Sequence, residues 1–340
     1  MALVGSGNSI SFKDIQTEFG RPSNGSFGKY RLNNDNGNSE NVGSLTNLPL
    51  DKDIPTSGEI KFSDFYSKKL NIVVDFYTED LERQNIKTRF GDSDKIRVIG
   101  PRDGKPESTS GKKIIAHVNK LVSANEQSKI EGRLSCSLMT GEWDPDTELI
   151  INVGSAGIII GAGGDGGRGS EGAGDFFAGK DGTSAIGINT TQVVSIINNG
   201  LISCGFGGGG GGKGGSKVVS TGKKSSATAV SSGGGGGGGA GSPFGLGGGK
   251  GTGATRGTDG EPGGDGEIDD GGAGGLGGNT DDATTLNGGQ GGDSAVSATV
   301  GDNSGGAAGN DGFLIVTIGD SAPDITGSKF GANSLDTTPI

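Results

Sequence analysis

Glycine at every third position is the feature that most narrows what this chain can become. Along the series 245, 248, 251 and onward to 278, ten of twelve positions are Gly, with Ala254 and Asp269 the departures. Gly163, Gly166, Gly169 and Gly172 keep the same spacing. A flexible tether needs no register, since a chain without side chains gains nothing by packing. A repeat of three matches the polyproline-II helix, which has three residues per turn and no internal hydrogen bonds. Glycine on one row gives that helix a bare edge, along which neighbours approach and bond laterally to satisfy backbone groups. Collagen shares the period but needs long unbroken triplets rich in Pro. Here only Pro243 and Pro262 fall within residues 161–312, and the triplets break every few turns. A bundle of short helices joined by turns is the expectation.

The glycine is confined. Residues 161–312 hold 56 of the 75 glycines in the 340-residue chain, so the first 160 residues read as an ordinary polar globular sequence. Within them Ile10-Ser11-Phe12-Lys13-Asp14-Ile15 is echoed fifty positions later by Ile60-Lys61-Phe62-Ser63-Asp64-Phe65. Each copy predicts a short strand running into one helical turn. Residues 31–47, rich in Asn, Ser and Gly, read as a loop. The β-rich stretches 70–77, 96–99, 114–118, 134–139 and 149–153 are separated by Gly, Pro, Asp and Ser clusters, a spacing that predicts a small antiparallel sandwich. Trp143 reads as a core or edge anchor. Apolar stretches at 158–160, 193–202 and 313–318 border the glycine runs. The expected fold class is therefore mainly β. A small N-terminal α+β or sandwich region precedes a glycine-rich polyproline-II bundle with interleaved strands. The expected divisions are an attachment region (1–70), a sandwich-like domain (71–153), the glycine-rich region (154–312), and a closing strand with tail (313–340).

Several chemistries are weighed and set aside. A net charge of −11 and a pI near 4.7 argue against phosphate-backbone binding, which needs clustered Lys and Arg. No run reaches the length of a membrane span, and the first residues lack the features of a secretion signal. Cys136 and Cys204 have no metal-type spacing, and His117 is the single imidazole, so no metal, cofactor or disulfide framework is expected. That single His also disfavours a nucleophilic or metal-assisted hydrolase. Gly161-Ala162-Gly163-Gly164-Asp165-Gly166 satisfies GxGxxG, but no helix can follow through Gly167-Arg168-Gly169. Asp144 and Asp146 could form a carboxylate pair, yet beside Pro145 they read as turn formers. Asp259, Glu261, Asp265, Glu267, Asp269 and Asp270 could bind Ca²⁺, but their spacing matches no EF-hand loop, and solvated charge is the expected role.

At these residues the chain resembles a family. Gly5 to Ile15 and Ile54 to Tyr66 resemble the opening segments of tail-fibre and baseplate-associated proteins of marine phages, notably cyanophages. The pattern Ile158-Ile159-Ile160-Gly161-Ala162-Gly163-Gly164, with Ile196 to Ile202 ahead of polyglycine, resembles glycine-rich tips of phage host-specificity proteins and T-even-type fibre adhesins. The resemblance implies a non-enzymatic virion tail component, made in the host cytoplasm. It would dock on other tail or baseplate proteins by its N-terminal half and meet a host-surface protein or polysaccharide by its glycine-rich half. Phage fibres are commonly trimers, so a homotrimer is expected. The echo residues Ile10, Phe12, Asp14, Ile60, Phe62 and Asp64 are the attachment candidates. Phe176, Phe177, Phe206 and Phe244, aromatic residues set among glycines, are the receptor-contact candidates, with internal plugs as the alternative. A purely structural connector and an enzyme attacking envelope polysaccharide are the rival functions.

Overall fold

A computed structural model describes residues 5–20, 27–30, 54–55, 58–99, 106–171, 177–214, 216–222, 225–253, 258–278, 298–301, 305–317 and 324–327. The chain winds in coils, each giving one strand to each of three sheets. The first coil holds β1 (Asn71–Phe76), β2 (Leu81–Glu82) and β3 (Gln84–Asn85), after which β4 (Ile96–Ile99) returns antiparallel beside β1. The second holds β5 (Lys113–Val118), β6 (Leu121–Ser123) and β7 (Cys136–Met139). The third holds β8 (Glu148–Val153), β9 (Ile158–Ile160) and β10 (Ser184–Ile188). The fourth holds β11 (Val194–Asn198) and β12 (Leu201–Ser203). A hairpin of β13 (Ser216–Gly222) and β14 (Ser225–Val230) intervenes before β15 (Ile315–Thr317) completes that coil, and β16 (Asp324–Gly327) follows. The first sheet runs β16-β11-β8-β5-β1-β4, the second β12-β9-β6-β2, and the third β15-β10-β7-β3.

Parallel pairing replaces the antiparallel sandwich expected from the spacing of strands. The physical reason lies in burial and connection length. Every residue of β1 is buried, as are the last five of β5, and strands covered on both faces are characteristic of parallel sheets. The connections from β1 to β5 to β8 are also far longer than hairpins, and parallel neighbours require such crossovers. In register, Ile72, Ile114, Leu149 and Val194 form one inward layer, and Val74, Ala116, Ile151 and Ile196 the next. The division expected after residue 153 falls inside this winding, because β8 ends there and β9 and β10 complete its coil.

The N-terminal residues close the first end. Helix α1 (Phe12–Phe19) starts at Ser11, whose backbone N–H and hydroxyl both donate to Asp14 Oδ2. The echo repeats the device at a single 3₁₀ turn, Phe62–Phe65, where the Lys61 N–H donates to Asp64 Oδ2 at 2.7 Å. Ser11 and Lys61 are extended, but among the described residues no strand precedes either turn, contrary to expectation. Buried Glu18 accepts the Leu70 N–H at 2.8 Å and pairs with buried Lys112, which fastens this cap to the first two coils. Truncating one member of such a pair leaves an uncompensated buried charge, a loss of about 3–5 kcal/mol.

One corner of the winding carries excursions that lengthen from coil to coil. Between the second and third sheets the first coil inserts only Arg83. The second inserts residues 124–135 with helix α3 (Glu126–Glu131), the third 161–183, and the fourth 204–314. The last two are the glycine-rich stretches. Helix α2 (Ile86–Gly91) lies elsewhere, after β3, capped by the Asn85 side chain.

Candidate functional site

The glycine stretches continue the sheets outward. β9 and β12 pair in parallel, and the residues after them stay paired, with Gly164, Gly167 and Ser170 N–H donating to the carbonyls of Phe206, Gly209 and Gly212. β10 and β15 behave alike on the approach side, where Gly179 and Gly182 donate to Ala307 and Asn310. Sheets stack about 10 Å apart because side chains fill the gap. Here the side chains shrink from Ile159 and Ile160 through Ala162 to Gly163 and Gly164, and the two layers bond directly. The Thr183 N–H donates to the Ala162 carbonyl at 2.9 Å.

Among the described residues, eight segments alternate between the outward and the returning direction: 161–170, 177–183, 204–212, 232–241, 243–251, 258–267, 270–278 and 305–312. Bonds recur every third residue. Gly233, Gly236 and Gly239 donate to Ser170, Gly167 and Gly164, while Gly235, Gly238 and Gly241 donate to Glu261, Gly264 and Glu267. The glycines picked out by the sequence period are the bonded rows: Gly245, Gly248 and Gly251; Gly260, Gly263 and Gly266; Gly272, Gly275 and Gly278. Asp269, a break in the period, lies in the turn before the seventh segment, and Ala254 is outside the described residues.

Composition follows the number of neighbours. The third and fourth segments are buried at every residue and nearly all glycine. A Cβ at Gly236 would overlap the carbonyl oxygen of Gly209, which belongs to a backbone that cannot swing aside. On the first segment, the row Ala162, Asp165 and Arg168 bonds only to the second segment through its carbonyls and opens from buried Ala162 through half-buried Asp165 to exposed Arg168. Uninterrupted polyglycine thus signals a surrounded segment, and interruption at every third residue an edge.

The four aromatic candidates do not share one surface. Phe206 is 2% exposed and packs with Cys204 and Ala240, so it is an internal plug and not a contact residue. Burial arises because its segment has neighbours on all sides. Phe244 is exposed but sits at the near end, where its carbonyl accepts from Lys129 Nζ of α3 at 2.6 Å. Phe177 is half exposed at the far end, beside Arg168, whose guanidinium lies 5.7 Å from its ring. Phe176 lies outside the described residues. Among the attachment candidates, Ile10, Phe12 and Ile60 pack partly buried against the core, Asp14 and Asp64 cap their helical turns, and Phe62 is 45% exposed. The structure joins the two echo copies through Phe27, whose ring lies 5.2 Å from Phe12 and 4.9 Å from Phe62.

Carboxylates at the margin of the glycine layer receive amides from neighbouring segments. Asp165 Oδ1 accepts the Leu246 N–H at 3.1 Å, Asp265 Oδ1 that of Gly247 at 2.7 Å, and Asp259 Oδ1 that of Gly253 at 3.0 Å. Asp259 and Asp265, read from the sequence as solvated charge, are thus also structural acceptors. Partial burial pushes the Asp165 carboxyl up, but the Leu246 N–H, Lys180 and Lys129 outweigh it and hold it below the usual carboxylate range. Lys250 and the Gly253 N–H do the same for Asp259. Sequence reasoning missed the buttress of α3. There Arg83 grips Glu131, and Lys129 reaches across to Asp165. Its signal was a helix-capping Asn125 and Ser128 ahead of a strand.

The other titratable candidates serve the winding. Asp144 Oδ2 accepts from Ser108 Oγ at 2.8 Å and from the Thr109 N–H at 2.6 Å, and these bonds keep its carboxyl low. His117 is fully buried between Asp75 and Asn152 in register, with Nδ1 2.9 Å from Asn152 Nδ2 and no partner for Nε2 among the described residues. Burial lowers its pKa. Burial likewise pushes the Cys136 thiol up to about 12, which removes thiolate chemistry at neutral pH.

No protein-family model matches the chain, and no curated protein matches it. Among solved structures, the gp37–gp38 adhesin tip complex of the bacteriophage S16 long tail fibre is similar at 16% identity and a TM-score of 0.35. That alignment covers 82% of this chain and 88% of the other.

Proposed function

We propose that this chain is a non-enzymatic tail component of a bacteriophage. Its wound N-terminal half docks on other tail proteins, and its glycine-rich half projects towards the host surface. The resemblance of residues 5–15 and 54–66 to tail-associated proteins supports the docking half, and the exposed Phe62 offers it an apolar contact. The observation that carries the outward half is the hydrogen-bonded glycine layer, whose segments all run between the wound body and one far end. In this reading the segments are polyproline-II helices. Ten residues at 3.1 Å each then span roughly 30 Å, a short rigid stalk whose stiffness comes from lateral bonds. The far-end aromatic, Phe177, is the contact residue, and a protein or polysaccharide on the host envelope is its target. The assembled form is a homotrimer.

The test is adsorption. Purified full-length protein is expected to bind susceptible cells and to compete with phage for them, and Phe177→Ser is expected to weaken binding at least tenfold while Phe244→Ser does not. Binding absent at every concentration would favour a connector without recognition. Turnover of envelope glycans lost in Asp144→Asn would favour the enzyme.

A further inference from the structure

We infer that the fifth glycine segment, residues 243–251, is an edge held shut by aspartates from its neighbours, and that these carboxylates close the glycine layer to a glycine-rich segment from a second copy of the chain. Inside the layer, a row of N–H groups spaced by three finds a row of carbonyls on the adjacent segment. The fifth segment satisfies one such row inward, with Gly245, Gly248 and Gly251 donating to Gly239, Gly236 and Gly233. Among the described residues, the N–H groups of Leu246, Gly247 and Gly253 meet no backbone carbonyl. Asp165, from the first segment, takes Leu246, while Asp265 and Asp259, from the sixth, take Gly247 and the following Gly253.

Space alone does not protect this edge. Gly249 is exposed, and a Cβ placed there meets only Arg168 Cγ, at 3.8 Å. Unpaired N–H rows recruit further chains at sheet edges, and proteins blunt them with charge. Here each carboxylate oxygen already accepts the N–H it meets, which leaves that donor nothing to offer an incoming carbonyl. Lys250 holds Asp259 at 3.0 Å, and Lys180 holds Asp165 at 3.1 Å, so two of the three plugs are themselves fixed. The occupant kept out is the chemical equal of the segments already inside: glycine-rich backbone of another copy.

The experiment uses the full chain with Asp259→Ala and Asp265→Ala combined, beside the matching pair of Asn substitutions. Sedimentation velocity across concentration is expected to show the Ala pair self-associating at least tenfold more tightly than wild type. The Asn pair, whose amide oxygen still accepts the N–H, is expected to sediment as wild type. An Ala pair that sediments as wild type while amide exchange at Gly247 and Gly253 quickens would overturn the inference. Equal association of the Asn pair would overturn it too, since lost charge and not a lost acceptor would then be responsible. Should the Ala pair lose exchange protection throughout the layer, Asp265→Ala alone gives the same readout. Among the described residues its carboxylate holds only the Gly247 N–H.

Discussion

The wound body and the glycine layer are continuous in hydrogen bonding but opposite in what stabilises them. In the body, strands are held apart by side chains, and stability comes from filling the space between sheets with Ile, Val, Leu and Phe. In the layer, segments are held together by the lack of side chains, and stability comes from backbone bonds that a Cβ on a surrounded row would break. The same chain therefore responds in opposite senses to a methyl group removed and a methyl group added. Fold class alone does not set tolerance to substitution; the number of close backbone neighbours does.

The sharpest way to break this contrast is Gly236→Ala. Overlap with the Gly209 carbonyl is expected to cost about 3 kcal/mol or more, with amide protection lost across the glycine layer and kept at Ile151 in hydrogen exchange. Equal loss in both regions would mean that the two are one cooperative unit. Acid should separate them next. His117 is held neutral by burial, so its contribution is complete above about pH 6.5 and declines as pH falls through its lowered native value. The aspartates Asp165 and Asp259 are held charged, so their contribution is complete above about pH 3.9 and is lost as pH falls through their native values. Unfolding followed against pH is expected to show an upper step, in the body, that disappears in His117→Gln. A lower step, read by exchange at Leu246 and Gly253, is expected to remain.

Removal of a methyl from the body gives a milder test. Ile151→Val, in a fully buried layer of the first sheet, should cost about 1 kcal/mol with graded loss of stability in chemical denaturation. The smallest effect belongs to Gly249→Ala. Its added Cβ meets open space, and reduced freedom of the unfolded chain should raise stability by up to about 0.5 kcal/mol. A loss comparable to that of Gly236→Ala would show that exposure does not distinguish edge from centre.

Much of the site was legible as register. The series 245, 248, 251 and its continuations named the rows that donate hydrogen bonds, because a three-residue repeat is a local property of the backbone. The echo named two helical turns for the same reason, since a cap reaches only three residues, though the second starts from Lys61, whose N–H Asp64 accepts, and not from Ser63. Placement of the aromatic residues was not legible. Phe206, Phe244 and Phe177 sit in similar glycine context, yet one is a plug, one lies at the near end and one at the far end. Which of these a residue becomes depends on how many segments surround its own. That number could have been read from the uninterrupted glycine after Phe206, had polyglycine been taken as a sign of enclosure.

By itself the sequence determined where five of the six strands of the first sheet form, which glycine rows of residues 245–278 bond, and where glycine takes over from apolar residues. These depend on contacts a few residues apart. Only the tertiary structure decided that the strands stack in parallel coils instead of folding into a sandwich, and that both glycine stretches leave from one corner. It also decided which segments lie at the centre. Strands buried on both faces have the same pattern of apolar residues whichever direction their neighbours run, so pairing is settled by how the long connections travel, information that no local stretch contains.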